Sequence, residues 1–392
     1  MRQWATIDEN GKFILINSKF ISSDGLSFKR TKDALFPLKK GDLVMVMSDV
    51  PKGKALAKCF LVDADNKYTL NQRICAIRTN NFDLKFLCYQ LNRNKHFLEF
   101  DNGENQTNLR KNDILDCPLL VPPLSEQIRI VAILDEAFAA IAKAKANAEQ
   151  NLKNAKELFE SYLQGVFENK GEDWEERSLE DIVDEKCSLS YGIVQPGEEY
   201  SDGLPVIRPT DLTSKFINLN GLKRIDPKLA DGYKRTKLIG DELLLCVRGT
   251  TGVVSIALKE LEGANVTRGI VPIRFNSKII DQGFGYYLLT SGLIQKQIKE
   301  KTYGAALMQI NIGDLRKIQT LYPRLIEQQA IVLKLDSLFS ETKKLEVIYQ
   351  QKIESLDELK KSILQKAFTG ELTGKLHNEA INNNQVIEHT YS

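Results

Sequence analysis

The sequence predicts an α+β chain: two mixed α/β domains separated by two long antiparallel helices that form a coiled coil. Three observations carry that expectation. The chain has 392 residues, more than one ordinary compact core accommodates. It repeats itself at a shift of 201 residues, where Leu124–Phe167 lies over Leu325–Phe368 without a gap and 16 of 44 positions are identical, Glu126/Glu327, Gln127/Gln328, Asp135/Asp336 and Phe138/Phe339 among them. Within both copies the apolar residues recur at alternating three and four spacings.

The first domain is expected over 1–122. Its Lys40-Gly-Asp-Leu-Val-Met segment reads as a polar turn feeding a strand, Arg73–Arg78 as a second strand and Phe86-Leu-Cys-Tyr as a short helix. Pro122 and Pro123 stop that domain, and a proline-free stretch rich in Ala, Glu, Lys, Leu and Gln gives the first long helix, 123–169. Its seam is Ile130, Leu134, Ala137, Ile141, Ala144, Ala148, Ala155, Leu158 and Tyr162, with Asn151 as a polar register residue. The second domain is expected over 170–322. Ile239-Gly-Asp-Glu-Leu-Leu, Arg268–Arg274 and Tyr286-Tyr-Leu-Leu there parallel the first domain's segments, and Ile207–Ile217 lies over Trp4–Ile14 with Asp211 on Asp8. Pro323 opens the second long helix, 323–372, with Ile331, Leu335, Leu338, Leu345, Tyr349, Leu356, Leu359 and Ile363 on its seam and Thr342 and Lys352 as polar interruptions. Some 44 helical residues span roughly 65 Å. Two unrelated amphipathic helices would explain neither the identity nor the equal length. The Asn-rich residues 373–392 read as a disordered tail. In this register Trp174–Ile207 has no counterpart in the first domain, which therefore reads as lacking about its first 30 residues.

Composition excludes several classes. There is no apolar run of about 18 residues able to cross a bilayer, and the basic-then-apolar start of a secretory signal is absent, so the cytosol is the default compartment. Cys59, Cys75, Cys88, Cys117, Cys187 and Cys246 contain no C-x-x-C pair and only three histidines accompany them, which predicts isolated core thiols and no metal site. The formal net charge is +2, but residues 1–122 hold 19 Lys+Arg against 14 Asp+Glu and residues 203–322 hold 18 against 10. Two basic blocks in corresponding places favour a polyanionic partner over scattered solvated lysines. No G-x-G-x-x-G, P-loop, H-E-x-x-H or Asn/Asp-Pro-Pro-aromatic segment occurs, so the chain alone is not expected to be an enzyme.

Pro122-Pro-Leu-Ser-Glu-Gln127, its echo Pro323-Arg-Leu-Ile-Glu-Gln328, the Leu-Gln-x-x-Phe endings at 163 and 364, and Thr369-Gly-Glu-Leu-Thr373 together resemble the specificity subunits of type I restriction–modification systems. The resemblance covers essentially the whole chain. It implies two target recognition domains held by an antiparallel helix pair, double-stranded DNA as ligand, and methyltransferase subunits, two per chain, docked along the helices together with restriction/translocase subunits. S-adenosylmethionine, ATP and Mg2+ would then reside on those partners and none on this chain. The alternatives are a two-headed coiled-coil scaffold without DNA binding and a stand-alone nuclease or methyltransferase with a degenerate motif.

Reading base edges requires Arg, Lys, Asn, Gln, Ser and Thr on loops, with Arg suited to guanine and Asn or Gln to adenine. In the first domain Ser48, Lys52 and Lys54 and then Asn71, Gln72 and Arg73 have that character, and Arg208, Arg248, Thr250, Thr251, Thr267 and Arg268 have it in the second. Gln309 and Asn311, and the pair Asn108/Arg110, are further candidates. Arg248 and Arg268 are the strongest, each having a glycine neighbour that leaves the backbone room to approach a ligand.

Overall fold

The structure, a computed structural model, describes residues 6–304, 308–369, 380–381 and 388–390. It divides into two compact units, the first comprising Met1–Ala148 with Gln351–Ser392 and the second Glu149–Gln350. Both boundaries fall inside the long helices Leu124–Glu168 and Leu325–Thr369, so each unit consists of one mixed domain and a half of each helix. No helix among the described residues is long and apolar enough to cross a membrane.

In the first unit the central strand Leu43–Val46 is flanked antiparallel by Cys59–Leu61 and Ile74–Arg78. The run is apolar throughout because both faces are covered. Leu43 and Met45 point into one core with Phe86, Leu87, Ile130 and Leu134, while Val44 and Val46 point into another with Ile16, Phe20 and Leu38. A second sheet places Phe13–Ile16 antiparallel to Lys29–Thr31 and parallel to Tyr68–Leu70. The second unit repeats this plan. Leu243–Cys246 lies between Val254–Ile256 and Ile270–Ile273, Leu204–Ile207 lies antiparallel to Lys223–Ile225 and parallel to Asn265–Val266, and the alternation again sends Leu243 and Leu245 to one core and Leu244 and Cys246 to the other.

These pairings correct the alignment read from sequence. Phe13–Ile16 occupies the place of Leu204–Ile207, so Ile207–Ile217 does not superpose on Trp4–Ile14. Loops of unequal length between equivalent strands shifted that register. Glu175–Ser178, which had no counterpart, pairs antiparallel with Gln319–Tyr322. The equivalent edge in the first unit, Leu119–Leu120, pairs with Ala380–Ile381, and Glu388–Thr390 adds to the outer side of Ile74–Arg78. Of the tail expected over 373–392, those five residues are strand backbone, and residues 373–379, 382–387 and 391–392 lie outside the described residues. A two- or three-residue strand in an Asn-rich stretch carries no periodicity, because its order comes from its neighbour's free edge.

The long helices run antiparallel within each unit. Lys145 pairs with Asp357 at 2.6 Å and Lys360 lies over the Phe138 ring in the first, while Phe159 packs on Phe339 and Lys334 lies over Tyr162 in the second. Most of the predicted seam is buried or half-buried, but Leu158, Leu345 and Leu359 are exposed, as are Asn151 and Lys352. Phe159 and Leu163 turn inward instead, because the C-terminal third of the first helix packs against the second domain as well as against the other helix, which widens its apolar face. Thr342 is buried and satisfies its hydroxyl on the carbonyls of Leu338 and Phe339.

Each domain docks on the helices by the same contacts. Tyr89 Oη and Lys85 Nζ both reach the Asp135 carboxylate, at 2.6 and 2.5 Å, in the first unit. Tyr287 and Lys215 both reach Asp336 in the second. Burial disfavours the Asp135 carboxylate, but the Lys85 ammonium and the Tyr89 hydroxyl outweigh it and hold its pKa below the usual value. Phe86 meets Phe368 edge-on, and Phe284 packs on Phe167, so each domain is closed by the end of the helix that belongs to the other repeat. The first unit's thiols are not isolated. The Cys59 thiol donates to Ala57 O at 3.6 Å, and burial together with the neighbouring Cys88, Cys75 and Cys117 pushes its pKa up.

Candidate nucleic-acid interface

In each unit one residue past the central strand gathers three segments. Met47 N–H donates to Arg73 O (2.9 Å) and Met47 O accepts from Leu109 N–H (2.8 Å). Val247 N–H donates to Gly269 O (2.7 Å) and Val247 O accepts from Ile310 N–H (3.0 Å). The segments brought together are therefore the one starting at 48, the turn 71–73 and residues 106–110 in the first unit, and those starting at 248, at 267 and at 308 in the second. Short bridges reinforce the arrangement, Ser48 opposite Asn108 and Arg248 opposite Gln309.

This geometry fixes equivalent positions across the repeat. Asn71 N–H donates to Ile16 O as Thr267 N–H donates to Ile207 O. Hence Asn71 corresponds to Thr267, Gln72 to Arg268, Ser48 to Arg248, Asn108 to Gln309 and Arg110 to Asn311. The last two open the short helices Lys111–Leu115 and Ile312–Arg316. Arg73, set beside Arg268 in the sequence register, instead matches Gly269. A glycine is required there, since a Cβ would lie 2.5 Å from Pro209 Cγ.

The predicted residues divide by availability. Lys52, Lys54, Gln72, Arg73, Thr250, Arg268 and Asn311 are exposed, and Asn71, Thr251, Thr267 and Gln309 are half-buried. Ser48 is buried, and its hydroxyl accepts the Gln106 amide at 2.8 Å, which makes Gln106 the outward polar group. Asn71 Oδ1 accepts the Arg73 N–H (3.2 Å) and shapes the turn. The Arg208 guanidinium is held by Asp211 at 3.0 and 3.2 Å, and that ion pair raises its pKa. Arg248 is half-buried, with a buried Nε that has no hydrogen-bond partner among the described residues. Thr251 Oγ1 donates to Met308 O (3.3 Å) and the Thr267 hydroxyl donates to Ile207 O (3.3 Å).

Sequence reasoning missed Gln106 and Tyr303. Tyr303 pairs its backbone with Gln309, its hydroxyl accepts from Gln309 Nε2 (3.2 Å), and the same hydroxyl donates to Asn311 Oδ1. It thereby orients both amides. A lone tyrosine before Gly304 has no pattern that distinguishes it; only the bridge to Gln309 shows its role.

Residues 4–153 and 171–355 match, in two successive stretches, the family described as type I restriction modification DNA specificity domain. The chain belongs to that family. Members of the specificity family are the non-catalytic components of type I systems, with catalysis on other subunits, as the sequence led us to expect. Relatives include the type I restriction enzyme EcoBI specificity subunit of Escherichia coli, 28% identical over 334 residues that cover 78% of this chain and 70% of the relative. The EcoKI specificity subunit of Escherichia coli strain K12 is 23% identical over 310 residues, covering 76% and 66%. Among solved structures, a chain from work described as the structural basis of complex assembly and conformational transition of the type I R-M system superposes with a TM-score of 0.73 at 18% identity, covering 94% of this chain and 95% of that one. The HsdS subunit from Thermoanaerobacter tengcongensis gives 0.58 at 18% identity, covering 94% of each. These two likenesses bear out the fold class, two mixed domains with long helices.

Proposed function

We propose that this specificity-family chain reads a bipartite double-stranded DNA target, one block per unit, and directs partner methyltransferase and restriction/translocase subunits to it. The observation that carries the reading is the paired set of positions around Met47 and Val247. One backbone scaffold presents Gln72, Asn108 and Arg110 in the first unit and Arg268, Gln309 and Asn311 in the second. An identical frame with different hydrogen-bonding side chains suits two domains that recognise different base sequences. The basic excess of both domains supplies the sequence-independent attraction. The two helices of 45 residues each are the element we assign to setting the spacer between blocks, since a helix pair is far stiffer than a linker of the same length.

Methylation with S-adenosylmethionine and ATP- and Mg2+-dependent cleavage belong, on this proposal, to the partner subunits, two of them methyltransferases. The test is coexpression with the methyltransferase subunit in a host without other methylases, followed by mapping of methylated adenines on a plasmid. Two specified blocks at a fixed distance are expected. Methylation without a fixed distance would remove the spacer role, and a single specified block would remove one unit as a reader.

A further inference from the structure

A groove in the second unit lies beside the reading loop. It has a volume of about 620 Å3 and is lined by Gly249, Thr250 and Thr251 on one side and by Gln295, Lys296 and Lys299 of the helix Gly292–Lys301 on the other. Lys296 and Lys299 are both exposed, and neither side-chain ammonium has an ion-pair or hydrogen-bond partner among the described residues, although Glu168 lies near Lys296. Separated by three residues, the two ammoniums project from one helix face and repel each other. A basic pair left uncompensated over an open groove is a place for an anion.

The groove is rigid where it meets the loop. Gln295 Nε2 donates to Gly252 O (2.9 Å) and to Leu289 O (2.7 Å), so the helix carries the loop. Gly252 has φ +97°, which strains any other residue, and a Cβ on it would displace the Gln295 amide that lies 2.5 Å away. Thr251 is fixed on Met308 O, and Thr250, whose hydroxyl lies 3.5 Å from Cys246 Sγ, is exposed beside the two lysines.

We propose that this groove seats a phosphate of the DNA backbone, with Lys296 and Lys299 neutralising it and the Thr250 hydroxyl donating to it, so that Arg248 and Gln309 are brought into register with the bases. The proposal rests on the reading of the second unit as a DNA reader and adds a separate element to it. Lysine is a flexible point charge with no fork geometry, suited to holding a phosphate without selecting a base. Lys296 and Lys299 are thus positioning residues for affinity, and the surface around Val247 retains base choice.

The experiment is fluorescence anisotropy of the purified full chain with mixed-sequence 30-bp duplexes between 50 and 200 mM salt. The wild type is compared with K296Q/K299Q, K296R/K299R and, as a charge control away from the groove, K278Q. Losing one phosphate contact makes the fall in affinity over that salt range about 3.5-fold smaller, and losing two makes it about 12-fold smaller. We expect K296Q/K299Q to show one of these reductions equally on unrelated duplexes, the arginine variant to restore the wild-type slope and K278Q to leave it unchanged. A folded K296Q/K299Q with the wild-type slope, or a K278Q with the same reduction, overturns the groove while leaving DNA binding intact. A wild type with no salt-dependent affinity overturns the DNA-reading proposal itself, and the groove with it.

Discussion

The side-chain carbonyl of Gln328 accepts the backbone N–H of Asp281 at 2.8 Å, and Asp281 in turn caps the helix Gln282–Thr290 by accepting from Phe284 N–H at 3.0 Å. Gln328 Nε2 also donates to Ile279 O and Pro323 O. In the first unit Gln127 does the same for Asp83, which caps the helix Leu84–Leu91, and donates to Pro122 O. The glutamine of the repeated Pro-x-Leu-x-Glu-Gln segment is therefore the pin between long helix and domain, and this explains why it is polar yet fully buried.

Replacing Gln328 by leucine keeps the volume and removes every bond. The Asp281 N–H and the Ile279 and Pro323 carbonyls are then left without that partner in a closed site. At about 1 kcal/mol or more for each group left unpaired, Q328L should cost about 3 kcal/mol, measured as a lower urea midpoint for the second unit by circular dichroism. A midpoint equal to the wild type's would mean that water replaces the amide.

Much of this was legible in the sequence, for specific reasons. Gln127/Gln328 and Asp135/Asp336 stood out because helices keep register over 44 residues, so identity accumulates at one shift. The strands at 43–46 and 74–78 were matched to their counterparts at 243–246 and 270–273, but Phe13–Ile16 was not matched to Leu204–Ile207, since equivalent loops differ in length and a strand of four apolar residues looks like any other. The candidate loops were grouped in the sequence by polar composition alone, and the structure brings them side by side. Their pairing, Gln72 with Arg268 and Arg73 with Gly269, emerges only from backbone bonds to Met47 and Val247. Gln106, Tyr303, Lys296 and Lys299 were invisible because their roles depend on what faces them across the fold.

The Asp135 cluster makes docking of the first domain pH-dependent. Its carboxylate pKa is lowered in the folded state, so its contribution is present above the unfolded value of about 4 and is lost as pH falls through the folded value. We expect amide exchange in the helix Leu84–Leu91, which carries Lys85 and Tyr89, to accelerate between pH 4 and 2.5 beyond the intrinsic trend. D135N should exchange faster than wild type at pH 6, and the difference should shrink at pH 3. A D135N difference that is constant with pH would assign the effect to shape rather than charge.

The strands Ala380–Ile381 and Glu388–Thr390 predict an effect of shortening the chain after Thr369. Without them Ile74–Arg78 loses its outer neighbour and Leu119–Leu120 its only strand partner among the described residues. Amides of 76–78 and 119–120 should exchange faster in the shortened protein, while those of Glu175–Ser178 and Gln319–Tyr322 in the second unit should not change. Equal exchange in both proteins at 76–78 would show that this edge does not depend on the C-terminal residues.

Tyr303 offers a way to separate base choice from affinity. Its hydroxyl is the shared partner of the Gln309 and Asn311 amides, and phenylalanine keeps the ring and the backbone bridge while releasing both. An amide free to rotate presents donor and acceptor interchangeably, so its preference for one base edge falls. No charge is removed, and the number of phosphate contacts is unchanged. In Y303F we therefore expect the methylated block read by the second unit to become degenerate at one or two positions. The block read by the first unit should stay as it was, and the salt dependence of binding should match the wild type's. A shift of the salt slope together with an intact motif would place Tyr303 on the phosphate-holding side of the interface instead.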